Sequence, residues 1–298
     1  MAKKVGVTLS ERVVTGLVVD HKLDGELRYF PEEHDDEYAL VEMPAEGIVE
    51  VLRGQVKAAA GGAGDIAAVG VGVPGLVRHG IVEEAPNLPQ LKGTRMTEML
   101  TAALRSEGIM APVTIANDAD AFAAGIAATT GRLDAVVRVW TLGVGIGYGR
   151  YPATDGVWEG GHTVVTLDDK ENYCGCGGRG HLEGIMGHRA MRLRFLDMEP
   201  EEVFDAAKKG DTRCSDFKKL WHKALAAATA SSIHLRGPGK FYLAGFNVRF
   251  VDMAMLNEYL HQMVKMSPLQ SYSIEVVKDA QETRVIGAAV SAHLTTSP

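Results

Sequence analysis

Residues 66–75, Ile-Ala-Ala-Val-Gly-Val-Gly-Val-Pro-Gly, decide the fold class of this chain. The run is apolar as far as residue 73 and stops at Pro74-Gly75. A strand without polar alternation is typical of a parallel sheet that helices cover on both faces. Residues 113–116, Val-Thr-Ile-Ala, repeat the pattern and end at Asn117-Asp118. The two runs predict buried strands that carry turn residues or polar side chains at their ends.

The other predicted elements complete an α/β chain. Strand patterns come first, and helices alternate with strands after residue 45. The strands occupy residues 5–20 (two strands around a polar turn), 25–30, 136–142, 241–245 and 273–277, and the helices occupy 45–60, 97–108, 119–131, 182–196, 200–236, 251–265 and 284–294. This order predicts sheets covered by helices, with ligands gathered beyond the carboxyl ends of the strands.

We place a domain boundary after residue 118, where the second series of strands and helices begins. The N-terminal α/β domain then spans residues 1–118, and the C-terminal α/β domain spans residues 119–283 and carries a cysteine-rich loop. A terminal helix at about 284–298 is expected to pack back on the first domain.

Composition excludes several classes of function. The chain has 298 residues, 46% of them hydrophobic and 23% charged, which is ordinary for a globular protein with a sizeable core. A net charge of −7 argues against a nucleic-acid partner, and no apolar stretch reaches membrane-spanning length. Three cysteines do not form a disulfide framework, which fits a reducing cytoplasm. The chain opens directly into Lys3-Lys4-Val5, so we expect no secretory signal.

The cysteine-rich loop predicts a zinc site. Residues 174–183 read Cys-Gly-Cys-Gly-Gly-Arg-Gly-His-Leu-Glu, and His162 lies upstream. Two thiolates and two imidazoles supply the four ligands of a tetrahedral zinc ion, so we assign them to His162, Cys174, Cys176 and His181. A closed set of four protein ligands predicts a structural rather than a catalytic zinc. Glu183 follows the last ligand, so a filled site would fix its position.

Asn117-Asp118 is a candidate for acid–base chemistry. A carboxylate just past a buried strand, at the start of a helix, is well placed to accept a proton from a hydroxyl group. Asn and Asp are also favoured helix N-caps, and the dipeptide taken alone fits that structural role better.

Two glycine-rich segments have a similar double interpretation. Residues 141–149, Thr-Leu-Gly-Val-Gly-Ile-Gly-Tyr-Gly, can cradle phosphate on backbone N–H groups or can simply be a bend. No Gly-Lys-Ser/Thr follows, so they are not a Walker loop. Glu159 and His162 flank two glycines and can converge on sugar hydroxyls, or can lie in a solvated turn.

Taken together and in this order, these segments resemble the ROK family of sugar kinases, repressors and related proteins. The resemblance covers nearly the whole chain and includes Gly70–Gly75, the Pro-Asn-Leu at residues 86–88, Asn117-Asp118-Ala119, Thr141–Gly147, Glu159–His162 and Cys174–Glu183. It implies a two-domain actin-like fold (hexokinase-type, ribonuclease H-like) with a cleft between the domains. It also implies a homodimer or homotetramer.

The resemblance further implies the roles of individual residues in a sugar kinase. Asp118 would be the general base that takes the proton of the sugar hydroxyl. One ring nitrogen of His162 would bind zinc and the other would lie near the sugar. The implied ligands of a hexose or amino sugar are Asn87, Asn117, Asp118, Glu159, His162 and Glu183.

The chain departs from the family pattern on the side of the phosphoryl donor. The family's first loop, Asp-x-Gly-Gly-Thr, is replaced by Thr8-Leu-Ser-Glu-Arg12, and Val144 replaces a threonine. The family's Gly-Gly-Gly is present only as Gly245-Phe246-Asn247. The residues expected to contact ATP-Mg are therefore Gly143, Gly145 and Gly245, with Arg12 as a partial replacement for the lost contacts.

Two functions stay open at this stage. The chain is either a carbohydrate kinase that uses ATP or a sugar-binding homologue that has lost phosphoryl transfer. The second class includes a regulatory protein and an enzyme that uses Asp118 for other acid–base chemistry on a sugar. A DNA-binding repressor is not expected, because no helix-turn-helix precedes Val5.

Overall fold

The computed structural model describes residues 2–32, 39–61, 66–153 and 158–292. The chain forms two compact units. The first comprises the described parts of residues 1–137, 149–158 and 280–298, and the second comprises residues 138–148 and the described part of 159–279. Each unit has its own hydrophobic core. No helix among the described residues is long and apolar enough to cross a membrane.

The first unit is built on a five-stranded sheet. Its elements in chain order are β1 (Lys3–Leu9), β2 (Val13–Val19), β3 (Lys22–Phe30), α1 (Ala45–Ala60), β4 (Ile66–Val73), the short ribbon β5 (Leu76–Arg78) and β6 (Ile81–Glu84), α2 (Met96–Ser106), β7 (Val113–Asn117) and α3 (Asp118–Thr129). The strand order is β3-β2-β1-β4-β7. Strands β1 to β3 are antiparallel, and β4 is parallel to both β1 and β7. The apolar runs at 66–73 and 113–116 are therefore neighbouring parallel strands, as predicted.

The second unit is mainly helical around a four-stranded sheet of order β11-β10-β8-β9. Its elements are β8 (Val137–Leu142), β9 (Ile146–Tyr151), α4 (Leu182–Met186), α5 (His188–Arg194), α6 (Pro200–Lys208), α7 (Thr212–Arg236), β10 (Lys240–Ala244), α8 (Met253–Met263) and β11 (Ser273–Val276). Residue 137 of β8 and residues 149–151 of β9 belong to the first unit. The chain then returns to the first unit as α9 (Gln281–Ser291). The part of the predicted terminal helix beyond residue 292 lies outside the described residues.

Glycines allow α9 to lie directly on its neighbours. A Cβ atom added at Gly6 of β1 would come within 1.9 Å of the Val285 carbonyl oxygen, and one at Gly70 of β4 would come within 1.8 Å of the Ala288 oxygen. A Cβ atom at Gly287 would meet the Ala121 oxygen of α3 at 1.8 Å. Helices α3 and α9 therefore pack backbone to backbone. This packing keeps α3 in the first unit, which extends to residue 137 rather than to the boundary at 118 drawn from the sequence.

We expect Gly287→Ala to lower the free energy of unfolding by about 2 kcal/mol or more, because the added methyl group has no space against the α3 backbone. Gly54→Ala is the matched control. Gly54 lies inside α1, and an added Cβ there would meet nothing within 4 Å. Since alanine favours a helix, this change should stabilise the chain by about 0.5–1 kcal/mol. Denaturant unfolding measures both, and equal effects of the two substitutions would contradict the packing argument.

Candidate functional site

The structure brings the four predicted metal ligands of the second unit together. The ligand atoms of His162, Cys174, Cys176 and His181 all lie within 4.8 Å of one another. The two Nδ1 atoms are 3.2 Å apart, and the two Sγ atoms are 3.4 Å apart. Cys174 Sγ lies 3.6 Å from His162 Nδ1, and Cys176 Sγ lies 3.3 Å from His181 Nδ1. We call these four residues the metal cluster.

The donor set and its spacing fit zinc. A tetrahedral ion with about 2.3 Å to sulfur and about 2.0 Å to nitrogen holds its ligand atoms about 3.3–3.8 Å apart. The contacts of 3.2–3.6 Å in the metal cluster agree with these separations to within about 0.4 Å. Burial lowers the pKa of His181, which keeps its imidazole neutral as metal binding requires. Burial raises the pKa of the Cys174 thiol, so a metal would have to displace that proton.

Backbone bonds and one ion pair hold the loop that carries the cluster. Val164 forms a β-bridge with His181, and the Gly180 N–H donates to the Glu171 carbonyl at 2.7 Å. The Glu171 carboxylate forms a two-pronged ion pair with the Arg194 guanidinium of α5, with Nη1 to Oε1 at 2.9 Å. Glu171 is 8% exposed, so removing Arg194 would leave a buried carboxylate without this partner. The loop is therefore anchored to α5 at a second point.

The two ring nitrogens of His162 face different groups. Its Nδ1 faces the metal cluster, while its Nε2 lies 3.7 Å from Glu159 Oε2. The turn between them sits tightly on β9, because a Cβ atom at Gly161 would come within 2.0 Å of the Ile146 oxygen. The predicted convergence of Glu159 and His162 is thus present in the geometry, with two glycines that allow the close approach.

Glu183 lies between the metal cluster and the turn that joins β8 to β9. Its Oε2 accepts the Ile146 N–H at 3.0 Å, and its Oε1 lies 3.7 Å from Cys174 Sγ. We call residues 143–145 the glycine turn. A Cβ atom at Gly145 would meet Glu183 Oε2 at 2.5 Å, so a side chain there would have to displace the carboxylate.

The glycine turn also lies close to Gly245 and the residues that follow it. A Cβ atom at Gly245 would come within 2.4 Å of the Leu142 oxygen, just before the turn. Asn247 is fully buried and donates to the Gly143 oxygen at 3.0 Å, and its Oδ1 lies 3.2 Å from His188 Nδ1. Sequence analysis missed Asn247 and His188, because nothing in their local pattern shows what they contact. The predicted donor-side glycines of the second unit are therefore neighbours in space.

A cavity of about 700 Å³ opens beside the glycine turn. Its volume is that of a small-molecule site. Val144 at the tip of the turn is 59% exposed. The cavity is lined by that residue, by His188, Arg189, Arg192 and Leu193 of α5, and by Phe195, Leu196, Asp197, Met198, Glu199 and Glu202.

A second group of possible metal ligands borders this cavity. Ligand atoms of His188, Glu199 and Glu201 lie within 4.8 Å of one another. Glu199 pairs with the Arg192 guanidinium at 3.1 Å, and Glu201 pairs with the Arg249 guanidinium. Because both carboxylates already face an arginine, we assign no metal to this group.

Arg12, the predicted replacement contact for phosphate, is held within the first unit. Its Nε donates to the Pro31 carbonyl at 3.0 Å, and its Nη2 donates to the Glu32 carbonyl at 2.8 Å. The guanidinium also lies 4.8 Å from the centre of the Tyr29 ring. Thr8, at the position of the family's aspartate, is 7% exposed, and its hydroxyl has no hydrogen-bond partner among the described residues.

Asn117 is an N-cap, as its structural interpretation predicts. Its Oδ1 accepts from the N–H groups of Ala119 and Asp120 at 2.9 and 3.1 Å, and its Nδ2 donates to the Gly75 carbonyl at 2.8 Å. Asp118 is the first residue of α3. Asn87 is exposed in the turn at 85–88, and that turn begins against Gly75, whose Cβ would meet the Glu84 oxygen at 2.1 Å. The cap therefore ties the Asn87 turn to the start of α3.

Asp120 is a carboxylate with a raised pKa beside Asp118, and sequence analysis did not single it out. Its Oδ1 accepts the Arg150 N–H at 2.8 Å. Burial raises the pKa of Asp120 to about 6, and the charge of Asp118 raises it further while Arg150 opposes the shift. The sequence shows two aspartates in one helical turn but does not show which one has the raised pKa.

Comparisons with known proteins place the whole of this arrangement in a family context without testing single residues. The ROK family model matches residues 32–294. A glucokinase from Pyrobaculum calidifontis is 28% identical over 247 residues, which cover 78% of this chain and 80% of that protein. A xylose repressor from Caldicellulosiruptor bescii is 24% identical over 253 residues, which cover 74% of this chain and 61% of the repressor.

The same fold is found in solved structures. The crystal structure of a ROK hexokinase from Thermus thermophilus matches with a TM-score of 0.76 at 24% identity, and the match covers 98% of both chains. The predicted two-domain actin-like α/β fold class is confirmed.

Zinc analysis of the purified protein should find one ion per chain, held by the metal cluster. Cys176→Ser should lose most of this zinc on dialysis against a weak chelator, because a structural site needs all four ligands. Cys214→Ala should keep it, since Cys214 lies in α7 outside the metal cluster. Elemental analysis by mass spectrometry measures the zinc content of each variant. Full zinc retention in Cys176→Ser would exclude this ligand set.

The ionised carboxylate of Asp120 should lower the free energy of unfolding at neutral pH. Its folded-state pKa of about 6 exceeds the ordinary value of 3.8, so the folded chain binds more protons than the unfolded chain between these pH values. Stability therefore falls as the pH rises through this window. Asp120→Asn keeps an oxygen for the Arg150 N–H and removes the charge. It should raise the free energy of unfolding by about 1–3 kcal/mol at pH 8, with a smaller gain towards pH 4.5.

The control for this measurement is Asp134→Asn, at an exposed position of the same unit. It should change the free energy of unfolding by less than about 0.5 kcal/mol. An equal gain for Asp120→Asn at both pH values would show that its carboxylate is not perturbed by burial.

Proposed function

The chain belongs to the ROK family, and we propose that it is a sugar kinase that transfers a phosphoryl group from ATP-Mg to a hydroxyl of a hexose or amino sugar. The observation that carries the proposal is the two-sided His162. One ring nitrogen faces the metal cluster, and the other lies 3.7 Å from the Glu159 carboxylate. An imidazole fixed in this way, beside a carboxylate, can hold neighbouring hydroxyl groups of a sugar. The glucokinase relative supports a sugar substrate.

In this proposal Asp118 is the general base. Its carboxylate accepts the proton of the attacking sugar hydroxyl while the sugar oxygen forms a bond to the γ-phosphorus. The bond between that phosphorus and the bridging oxygen breaks, and ADP leaves with the electron pair. Asn117 supports Asp118 by capping α3, so it acts on the backbone that carries the base. Asn87, Glu159, His162 and Glu183 are the proposed sugar contacts.

The proposed cofactors have separate tasks. ATP-Mg would supply the phosphoryl group, with Gly143, Gly145 and Gly245 as its contacts in the second unit. Zinc would be structural, since His162, Cys174, Cys176 and His181 fill four positions. We propose a homodimer or homotetramer, on the basis of the family resemblance. We also propose a cytoplasmic location, because the three cysteines form no disulfide.

A second candidate function is a sugar-binding homologue without phosphoryl transfer. The position of Arg12 favours it, because the guanidinium donates to the carbonyls of Pro31 and Glu32. A guanidinium that already has these acceptors offers less to a phosphate. The xylose repressor relative shows that the family also includes a protein named for regulation.

Calorimetric titration separates the two functions. The kinase should bind glucose, mannose or N-acetylmannosamine and also ATP-Mg, and it should release ADP when both are present. Binding of a sugar without measurable binding of ATP-Mg would refute the kinase and favour the second candidate.

We expect Asp118→Asn to bind the sugar as the wild type does and to lose about a hundred- to ten-thousand-fold in turnover, because the amide cannot accept the hydroxyl proton. Coupled detection of ADP measures turnover, and calorimetry measures sugar affinity. Asp134→Asn should leave both unchanged. Unchanged turnover in Asp118→Asn would remove Asp118 from the role of base.

A further inference from the structure

The loop of the metal cluster and the glycine turn share one side chain, the carboxylate of Glu183. Glu183 lies two residues after the ligand His181, in the first turn of α4. Its Oε1 is 3.7 Å from Cys174 Sγ, and its Oε2 accepts the Ile146 N–H at 3.0 Å. The two oxygens of one side chain thus face the metal cluster and the residue that follows the glycine turn.

The glycine turn lies directly beside this carboxylate. A Cβ atom at Gly145 would lie 2.5 Å from Oε2. The segment after Glu183 is also hydrogen-bonded to the turn. The His188 N–H donates to the Gly143 carbonyl at 3.0 Å, and the Arg189 N–H donates to the Val144 carbonyl at 3.4 Å. A displacement of α4 would therefore be transmitted to the glycine turn.

The position of α4 depends in turn on the metal cluster. His181 is the N-cap residue of α4 and makes no side-chain cap hydrogen bond. Its Nδ1 faces His162 and Cys176 instead. Contacts of 3.2–3.6 Å among these sulfur and nitrogen atoms are weak, whereas bonds to a zinc ion would hold the same atoms firmly.

We propose that Glu183 is a positioning residue through which the metal cluster, when it holds zinc, fixes the glycine turn. The link between metal and turn needs no kinase activity. Its consequence for donor binding rests on the proposed function, because Gly143 and Gly145 are the proposed phosphate contacts. Zinc would then support both sides of the reaction, the sugar through His162 and the donor through Glu183.

Amide hydrogen exchange on the full-length protein tests the link directly. In the wild type, removal of zinc should speed exchange at Ile146 about tenfold or more, because the N–H loses a fixed charged acceptor. Exchange in β10 (Lys240–Ala244) should stay unchanged, which separates the effect from unfolding of the unit. Equal exchange at Ile146 with and without zinc would overturn the proposal.

Variants of Glu183 show whether the effect passes through this side chain. Zinc-loaded Glu183→Ala should exchange fast at Ile146, and removal of zinc should add no further change. Glu183→Gln retains an oxygen acceptor and should keep most of the protection. The matched control is Glu258→Gln on α8, which should behave as the wild type. An effect of zinc removal that persists in full in Glu183→Ala would overturn the role of Glu183.

Two further measurements complete the test. Should Glu183→Ala not fold, Glu183→Asp replaces it with the same expectation, because its carboxylate is one methylene shorter. Calorimetry with ADP-Mg should show affinity about tenfold weaker for Glu183→Ala than for Glu183→Gln. If exchange at Ile146 responds as expected but ADP-Mg does not bind, the metal–turn link stands and the kinase proposal fails.

Discussion

Backbone segments in direct contact, with no side chain between them, are the constraint on which both units depend. In the first unit, Gly70 and Gly287 let α9 lie against β4 and α3 at distances that exclude even a methyl group. In the second unit, Gly161 lets the His162 turn lie on β9, where an added Cβ atom would come within 2.0 Å of the Ile146 oxygen. Packing of this kind depends steeply on distance, so each contact sets the position of its elements within narrow limits.

Several side chains support the candidate site without being proposed ligand contacts themselves. Asn117 caps α3 and so orients the backbone of Asp118. Asn247, buried behind the glycine turn, binds the Gly143 oxygen. Glu171 and Arg194 anchor the loop of the metal cluster to α5. These side chains position the residues that are proposed to contact ligands. A site that is held in place before the ligand binds needs such supporting contacts.

Sequence patterns predicted the buried strands and named the four residues that meet in the metal cluster, because each pattern depends on residues that are close in the chain. The predicted boundary after residue 118 differs from the observed unit, since the contact between α3 and α9 joins residues more than 150 positions apart. Arg12 was expected to face a phosphate, yet it donates to the carbonyls of Pro31 and Glu32. The raised pKa of Asp120 and its contact with the Arg150 N–H of β9 had no local signal in the sequence.

The sequence by itself determined the α/β class, the family resemblance and the identity of the four metal-cluster residues. These follow from apolar runs, glycine positions and ligand types, which are local properties of the chain. The tertiary structure decided which nitrogen of His162 faces Glu159, where the Glu183 carboxylate points and which aspartate of α3 has a raised pKa. Those properties depend on distances and burial between segments far apart in sequence, and only the folded chain sets them.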